Sequence, residues 1–165
     1  MTFRETVLEF TRRPRAAVVA MEEPHGAMLY EPGSNKELRI SWADLEQVVE
    51  RSSAQRSAPY LLLVFQDGRQ LALADVGFAF APSTVNTGPL PDLPEVLCFR
   101  DFRHLSSGVA SLLSEKDRER EALAAVMVCL ALLDGARAAG LAVGREERQL
   151  DGLLHQLEER GLELS

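Results

Sequence analysis

The chain is poor in cysteine, and the two cysteines it has argue against two classes of protein. Cys98 and Cys129 lie in apolar runs, form no CxxC pair and have no histidine at ligand spacing. This pattern differs from the dense cysteine frameworks of small secreted domains and from the ligand sets of zinc sites. Because a free cysteine in an apolar run behaves as a small hydrophobic residue, we expect two reduced thiols in the core.

A secretion signal and a membrane-spanning run are also missing. Residues 1–5 contain no basic segment that leads into an apolar one. The longest apolar stretch, residues 122–133, is shorter than the ~20 residues that a spanning helix needs. We therefore expect a cytoplasmic protein with this stretch in its core. Lysine is scarce beside arginine, which is typical of a bacterial genome rich in G and C.

Positive charge is in the minority, which argues against nucleic acid and membrane partners. Asp and Glu number 25 against 18 Lys and Arg, for a net charge of −7, and residues 21–50 carry seven acids and two bases. Such a surface repels phosphate backbones and anionic lipids. The short basic cluster of Arg12, Arg13 and Arg15 is interpreted as a solvated loop. We expect no useful affinity for DNA, RNA or anionic vesicles at physiological salt.

Motifs that carry catalysis or bind cofactors are absent from the sequence. It contains no HExxH pair, no acidic calcium loop and no glycine-rich phosphate loop. The three histidines stand far apart, at His25, His104 and His155. The densest polar group consists of Asp101, His104, Ser106 and Ser107, in which the serines are interpreted as the cap of a following helix. We therefore predict no catalytic, metal-binding or cofactor-binding residues and no cofactor.

Strand patterns precede helix patterns, which is typical of the α+β class. Turn residues separate short extended runs at residues 16–21, 27–30 and 37–40, and this spacing predicts an antiparallel meander. Asp67 and Gly68 separate two further runs, residues 60–66 and 69–75, which predicts a hairpin with a type I′ turn. Residues 42–51 fit either a helix or a strand. We expect a single domain over residues 1–165, mainly β over 1–104 and helical over 105–165.

Helix ends are well marked in the second half of the chain. A short helix is predicted over residues 105–113. Ser114 is predicted to cap a helix that ends before Gly140, and a last helix is predicted over residues 145–160, ending at Gly161. The last helix carries a leucine stripe at helical spacing, formed by Leu150, Leu153, Leu154 and Leu157. We expect this C-terminal helical pair to pack on the sheet.

Residues 38–48, with Trp42, Asp44 and Leu45 between two extended runs, are similar to bacterial pleckstrin-homology-like domains. The Asp67–Gly68 hairpin follows at a suitable distance, and residues 98–102 leading into a helix resemble the last strand and the capping helix of that family. The proline-bearing residues 81–95 and the helical pair depart from its pattern. The resemblance implies a binding or scaffolding module, and no binding residue of the family maps onto this chain.

Two functions of different classes fit these patterns. The first is a non-catalytic interaction or scaffolding module that binds a protein partner or forms a homodimer, through residues 77–95 or the last helix. Long proline-bearing loops such as residues 81–95 tend to be functional or mobile. The second is a small enzyme or ligand-binding protein whose site is assembled from residues that are distant in the sequence. A deep polar pocket would favour the second function, and a large exposed apolar patch the first.

Overall fold

The computed structural model describes residues 1–52, 58–81, 96–115 and 117–161. The described part has the α+β class that the sequence predicts, with eight strands and four helices. The strands are β1 Val19–Glu23, β2 Gly26–Glu31, β3 Lys36–Ser41, β4 Leu45–Arg51, β5 Tyr60–Phe65, β6 Gln70–Ala74, β7 Gly77–Phe80 and β8 Leu97–Cys98. The helices are α1 Phe3–Thr11, α2 Phe99–Leu113, α3 Glu119–Ala138 and α4 Gly144–Glu159.

The strands form two antiparallel sheets in which each strand pairs with its neighbours in the chain. The first sheet has the order β1-β2-β3 and the second has the order β4-β5-β6-β7-β8. The predicted meander is therefore confirmed. The ambiguous residues 42–51 form a single 3-10 turn, Trp42–Asp44, followed by strand β4, and this turn joins the two sheets.

The hairpin at Asp67 and Gly68 is present, but its turn differs from the predicted type. A type I′ turn needs positive φ at two residues, whereas here Gly68 has φ +90° and Asp67 lies outside the positive region. Gly68 N–H donates to the carbonyl of Phe65 at 3.0 Å, and Phe65 N–H donates to the carbonyl of Arg69 at 2.9 Å. These bonds form a three-residue loop in which a tight turn is followed by a left-handed glycine.

The core lies on both faces of the second sheet, because its central strands are apolar on both sides. Along β6, Leu71 and Leu73 join the main hydrophobic cluster, while Ala72 and Ala74 join a smaller cluster on the opposite face. The main cluster includes side chains from both sheets and from all four helices of the described part.

The C-terminal helices α3 and α4 pack against α2 and each other, and α2 and α3 also lie against β7. Helix α3 ends as predicted, since Gly140 has φ +92° and Leu141 N–H donates to the carbonyl of Ala136 at 3.0 Å. The predicted start of α3 is wrong. Ser114 is the C-cap of α2, and α3 begins at Glu119.

Helix α3 contains the longest apolar stretch of the chain. Half of that stretch is buried, including Leu132 and Leu133, which confirms its assignment to the core. Leu123, Ala125, Met127, Val128 and Leu130 are half-buried and Ala124 is exposed. No helix in the described ranges is long and apolar enough to cross a membrane.

Two helices begin within residues 1–104, which the sequence predicts to be mainly β. Helix α1 precedes the first strand, with a capping box in which Thr2 accepts from the N–H of Glu5 and Glu5 accepts from the N–H of Thr2. Helix α2 begins at Phe99, six residues earlier than predicted.

A mostly buried ion pair attaches the last helix to the first sheet. Lys36 Nζ, at the start of β3, lies 2.7 Å from Glu146 Oε2 on α4 and donates to the carbonyl of Ala142. The two side chains are 11% and 12% exposed. Lys36 Nζ also lies 5.1 Å from the centre of the Phe99 ring, so that β3, α2 and α4 meet at this lysine.

Candidate functional site

The histidines lie apart in the structure. His25 is exposed in the turn between β1 and β2, His104 is exposed on α2, and His155 is exposed on α4. His155 Nε2 lies 3.1 Å from Glu159 Oε1, one turn further along α4. Among the described residues, no group of three or more His, Cys, Asp or Glu side chains could hold a metal ion.

The polar group around Asp101 lies inside α2. Its two serines therefore do not cap a following helix, and that interpretation is wrong. The Asp101 carboxylate accepts a hydrogen bond from Cys98 N–H at 2.9 Å, and the Ser106 hydroxyl donates to the carbonyl of Arg103 at 3.1 Å. Both hydrogen bonds are local ones, within α2 or at its N-terminus.

The basic cluster at residues 12–15 joins α1 to β1. Arg13 lies 2.6 Å from Glu50 on β4, and its guanidinium stacks 4.7 Å from the centre of the Phe10 ring. Arg12 and Arg15 are exposed. One arginine of the cluster therefore holds α1 against the second sheet.

Neither cysteine is in a disulfide bond and both are buried, as the sequence predicts. Burial raises the pKa of the Cys129 thiol to about 12. Because the thiolate is the reactive form, a thiol with this pKa is inert at neutral pH even where a reagent reaches it.

We expect a thiol reagent to find no fast-reacting site in the native protein and two sites per chain after unfolding in urea. Titration with a chromogenic disulfide reagent, with and without denaturant, measures this. A Cys129→Ser variant serves as the control and should retain one site after unfolding. An intramolecular disulfide in native material would contradict the prediction.

Glu31, the last residue of β2, is an acid buried in the described core, with 3% of its surface exposed. Its Oε2 atom accepts a hydrogen bond from the N–H of Phe78 at 2.6 Å, which links the first sheet to the second. Gly77 makes room for this carboxyl group. A Cβ atom at Gly77 would lie 2.4 Å from the carboxyl carbon of Glu31.

Burial raises the pKa of Glu31 above its ordinary value of 4.5. The hydrogen bond from Phe78, the nearby Ser34 hydroxyl and the charge of Lys36 oppose the rise. The Ser34 oxygen is itself buried and meets no partner at hydrogen-bond geometry in the described chain. Glu31 therefore binds its proton more tightly in the folded than in the unfolded protein.

The sign of the resulting pH dependence follows from linkage. Since the folded protein holds the Glu31 proton more tightly, this residue makes the free energy of unfolding fall as pH rises from about 4.5 through the raised pKa. The Glu31→Gln variant has no carboxyl group to titrate at this position, and its amide oxygen can still accept the hydrogen bond from the Phe78 N–H. We expect the variant to gain stability relative to the wild type across that pH range.

Urea unfolding of both proteins in steps from pH 4 to 8 tests this prediction. Titration of the other carboxylates is shared by the two proteins and cancels in the difference. A difference in unfolding free energy that stays constant with pH would contradict the assignment of a raised pKa to Glu31.

A cavity of about 370 Å³ lies next to Glu31. Residues from four separate stretches of the chain line it: Ala17; Glu31, Gly33 and Ser34; Asp75 and Val76; and Phe99, Arg100 and Arg103 of α2. Its lining includes acidic, basic and apolar residues. Sequence patterns could not indicate it, because its residues are spread from position 17 to position 103.

A second feature is the outer face and open edge of β1. Two large apolar side chains of this strand are exposed, Val19 at 49% and Met21 at 50%. They lie opposite half-buried Tyr30 and Met28 on β2. The other edge of β1 pairs with no strand, and its backbone has no partner outside β2 among the described residues.

Of the interaction surfaces that the sequence suggested, residues 82–95 lie outside the described residues. Residues 77–80 form the buried strand β7 and offer no surface. The leucine stripe of α4 is buried at Leu150, Leu153 and Leu157, which leaves half-buried Leu154.

Comparison with protein-family models, with curated proteins and with solved structures found no match to this chain.

Proposed function

We propose that this protein is a non-catalytic interaction module that binds an extended segment of a partner protein along the open edge of β1. The observation that carries the proposal is the exposure of Val19 and Met21 on an edge strand. Exposed apolar edge strands promote aggregation unless something covers them. A partner strand would satisfy the free backbone groups and cover these side chains.

The register of the first sheet gives the partner a continuous apolar surface. On the outer face, Val19 lies beside Tyr30, and Met21 lies beside Met28. In strand addition, backbone hydrogen bonds supply affinity and alternate side chains supply specificity. An added strand would therefore place every second side chain against this apolar row.

Charge indicates the chemistry of the partner segment. Six of the seven acids in residues 21–50 remain at the surface or partly exposed, since only Glu31 is buried among them. Glu22 and Glu23 form the end of β1 itself. Glu22 is paired with Arg4 and Glu23 with Arg39, but residues 21–50 as a whole have an excess of seven acids over two bases. This excess favours a segment in which lysine or arginine alternates with apolar residues. A second copy of β1 would bring further acids to the same edge, so we infer a different protein as the partner.

Synthetic strand-length peptides test the proposal. One peptide alternates apolar and basic residues, a second has the same composition in scrambled order, and a third replaces the basic residues by acids. We expect fluorescence anisotropy to detect binding of the first peptide alone. Methylation of every second backbone nitrogen on its pairing side should abolish binding, because strand addition needs those N–H groups.

Matched variants locate the binding edge. Met21→Glu should weaken binding at least tenfold. Gln47→Glu adds the same charge to the exposed face of β4 and should leave the affinity unchanged. Equal affinities for all three peptides, or an unchanged affinity in Met21→Glu, would overturn the proposal. Concentration-dependent mass in light scattering, lost in Met21→Glu, would assign the edge to a second copy instead.

The resemblance to pleckstrin-homology-like domains stays a prediction. The strand, turn and strand that carry it are present as β3, the 3-10 turn and β4. A module of that kind would be consistent with a binding role.

A further inference from the structure

The cavity beside Glu31 has the dimensions of a small-molecule site. Its volume of about 370 Å³ falls within the range of roughly 300–1,000 Å³ that is usual for ligand pockets. Ala17, Val76 and Phe99 contribute apolar wall, and the remaining lining is largely charged. A site of this kind is independent of the β1 edge and of the partner proposed for it.

Two acids line the cavity, Glu31 and Asp75. The Glu31 carboxyl group packs against Gly77 at the start of β7, and Asp75 lies in the turn that precedes this strand. Burial of Glu31 without a countercharge in direct contact favours a neighbour that donates hydrogen bonds or carries positive charge. These acids therefore suit an ammonium group.

The basic groups of the cavity lie on α2. Arg100 and Arg103 are in its first two turns and, being three residues apart, lie on the same side of the helix. Both are exposed and form no ion pair in the described chain, whereas six other arginines do: Arg4, Arg13, Arg39, Arg69, Arg118 and Arg137.

Arg100 lies in the first turn of α2, where a positive charge is unfavourable because the start of a helix carries partial positive charge. A bound anion would offset this effect, since it would interact with both guanidinium groups and with the helix start. The two arginines therefore suit a carboxylate.

We propose that the cavity binds a small zwitterion, a free amino acid, with its carboxylate at Arg100 and Arg103 and its ammonium group at Glu31 and Asp75. A simple anion would be repelled by the acids and a simple cation by the arginines. The apolar wall of Ala17, Val76 and Phe99 would receive the amino acid side chain.

The twenty free L-amino acids are the probes, screened by thermal shift at millimolar concentration and followed by isothermal titration calorimetry. For each amino acid that binds, its deaminated acid and its decarboxylated amine are measured beside it. We expect both derivatives to bind at least tenfold more weakly, since each lacks one charged contact. Absence of binding by all twenty, or full affinity in either derivative, would overturn the proposal.

Variants assign the binding to this cavity. Arg100→Gln with Arg103→Gln should weaken binding at least tenfold, and Glu31→Gln should weaken it while leaving the affinity for the deaminated acid unchanged or higher. Arg145→Gln, at an exposed arginine on α4, is the control for charge. Circular dichroism verifies folding. Unchanged amino acid affinity in the double arginine variant would place the site elsewhere. Peptide binding at β1 should be unaffected by all of these variants.

Discussion

Replacement of Gly77 by alanine is expected to destabilise the protein by about 3 kcal/mol or more, the sum of backbone strain and overpacking. Gly77 has φ +122°, a conformation that side-chain-bearing residues rarely adopt. The added Cβ would also lie 2.4 to 2.7 Å from three atoms of the Glu31 carboxyl group. Because this carboxyl group is buried against β7, it has little room to move.

Urea unfolding measures the loss, and two further variants separate its causes. Gly152→Ala is the matched control, since Gly152 lies in α4 with open space around its Cα, and it should stabilise the protein by up to about 1 kcal/mol. In the double variant Glu31→Ala with Gly77→Ala the steric conflict is absent, so its loss should be smaller than the sum of the single losses. A Gly77→Ala protein as stable as the wild type would show that Glu31 is not packed against this turn.

Leu133→Ala should cost about 2–5 kcal/mol of unfolding free energy, as expected for a leucine truncated in a packed core. Leu133 is 2% exposed on α3. Leu130, three residues earlier on the same helix, is half-buried, so Leu130→Ala should cost only about 1 kcal/mol. The two variants carry the same substitution in one helix, at a buried position and at a half-buried one.

The comparison also tests self-association. Leu123, Met127 and Leu130 form a half-buried row along α3, and the sequence predicts that a second copy or a partner covers apolar surface near these helices. Equal losses at Leu130 and Leu133 in concentrated protein, with the Leu130 loss shrinking on dilution, would mean that a second copy buries Leu130. If the losses at both positions are independent of protein concentration, the measured stability is that of the monomer.

Local sequence signals were sufficient where a short stretch determines its own conformation. The Asp67–Gly68 hairpin and the helix ends at Gly140 and Gly161 were predicted correctly, because glycine adopts positive φ without steric cost. The class of the fold followed from the order of strand and helix patterns. The type of turn in the hairpin did not follow from the sequence. Asp-Gly is compatible with more than one loop, and the register of the two strands selects the loop that forms.

Helix α1 has a local signal in the sequence, whereas the start of α3 does not. The spacing of Thr2 and Glu5 is that of a capping box, followed by apolar residues at helical spacing, and together these mark α1. Ser114 has the side chain of a good N-cap, yet it ends α2, because packing of α2 against α3 decides where each helix stops.

The candidate sites depend on contacts that no local pattern records. In sequence, Glu31 resembles Glu22 and Glu23, an acid near a strand end, and all three would be read as solvated charge. Only Glu31 among them is buried, because Gly77 and Phe78 of the other sheet enclose its carboxyl group. Composition and periodicity were enough for the class of the fold and most of its strands. Which acid is buried, which arginines face a cavity and which strand edge stays open were decided by tertiary packing, since each depends on residues that are distant in the chain.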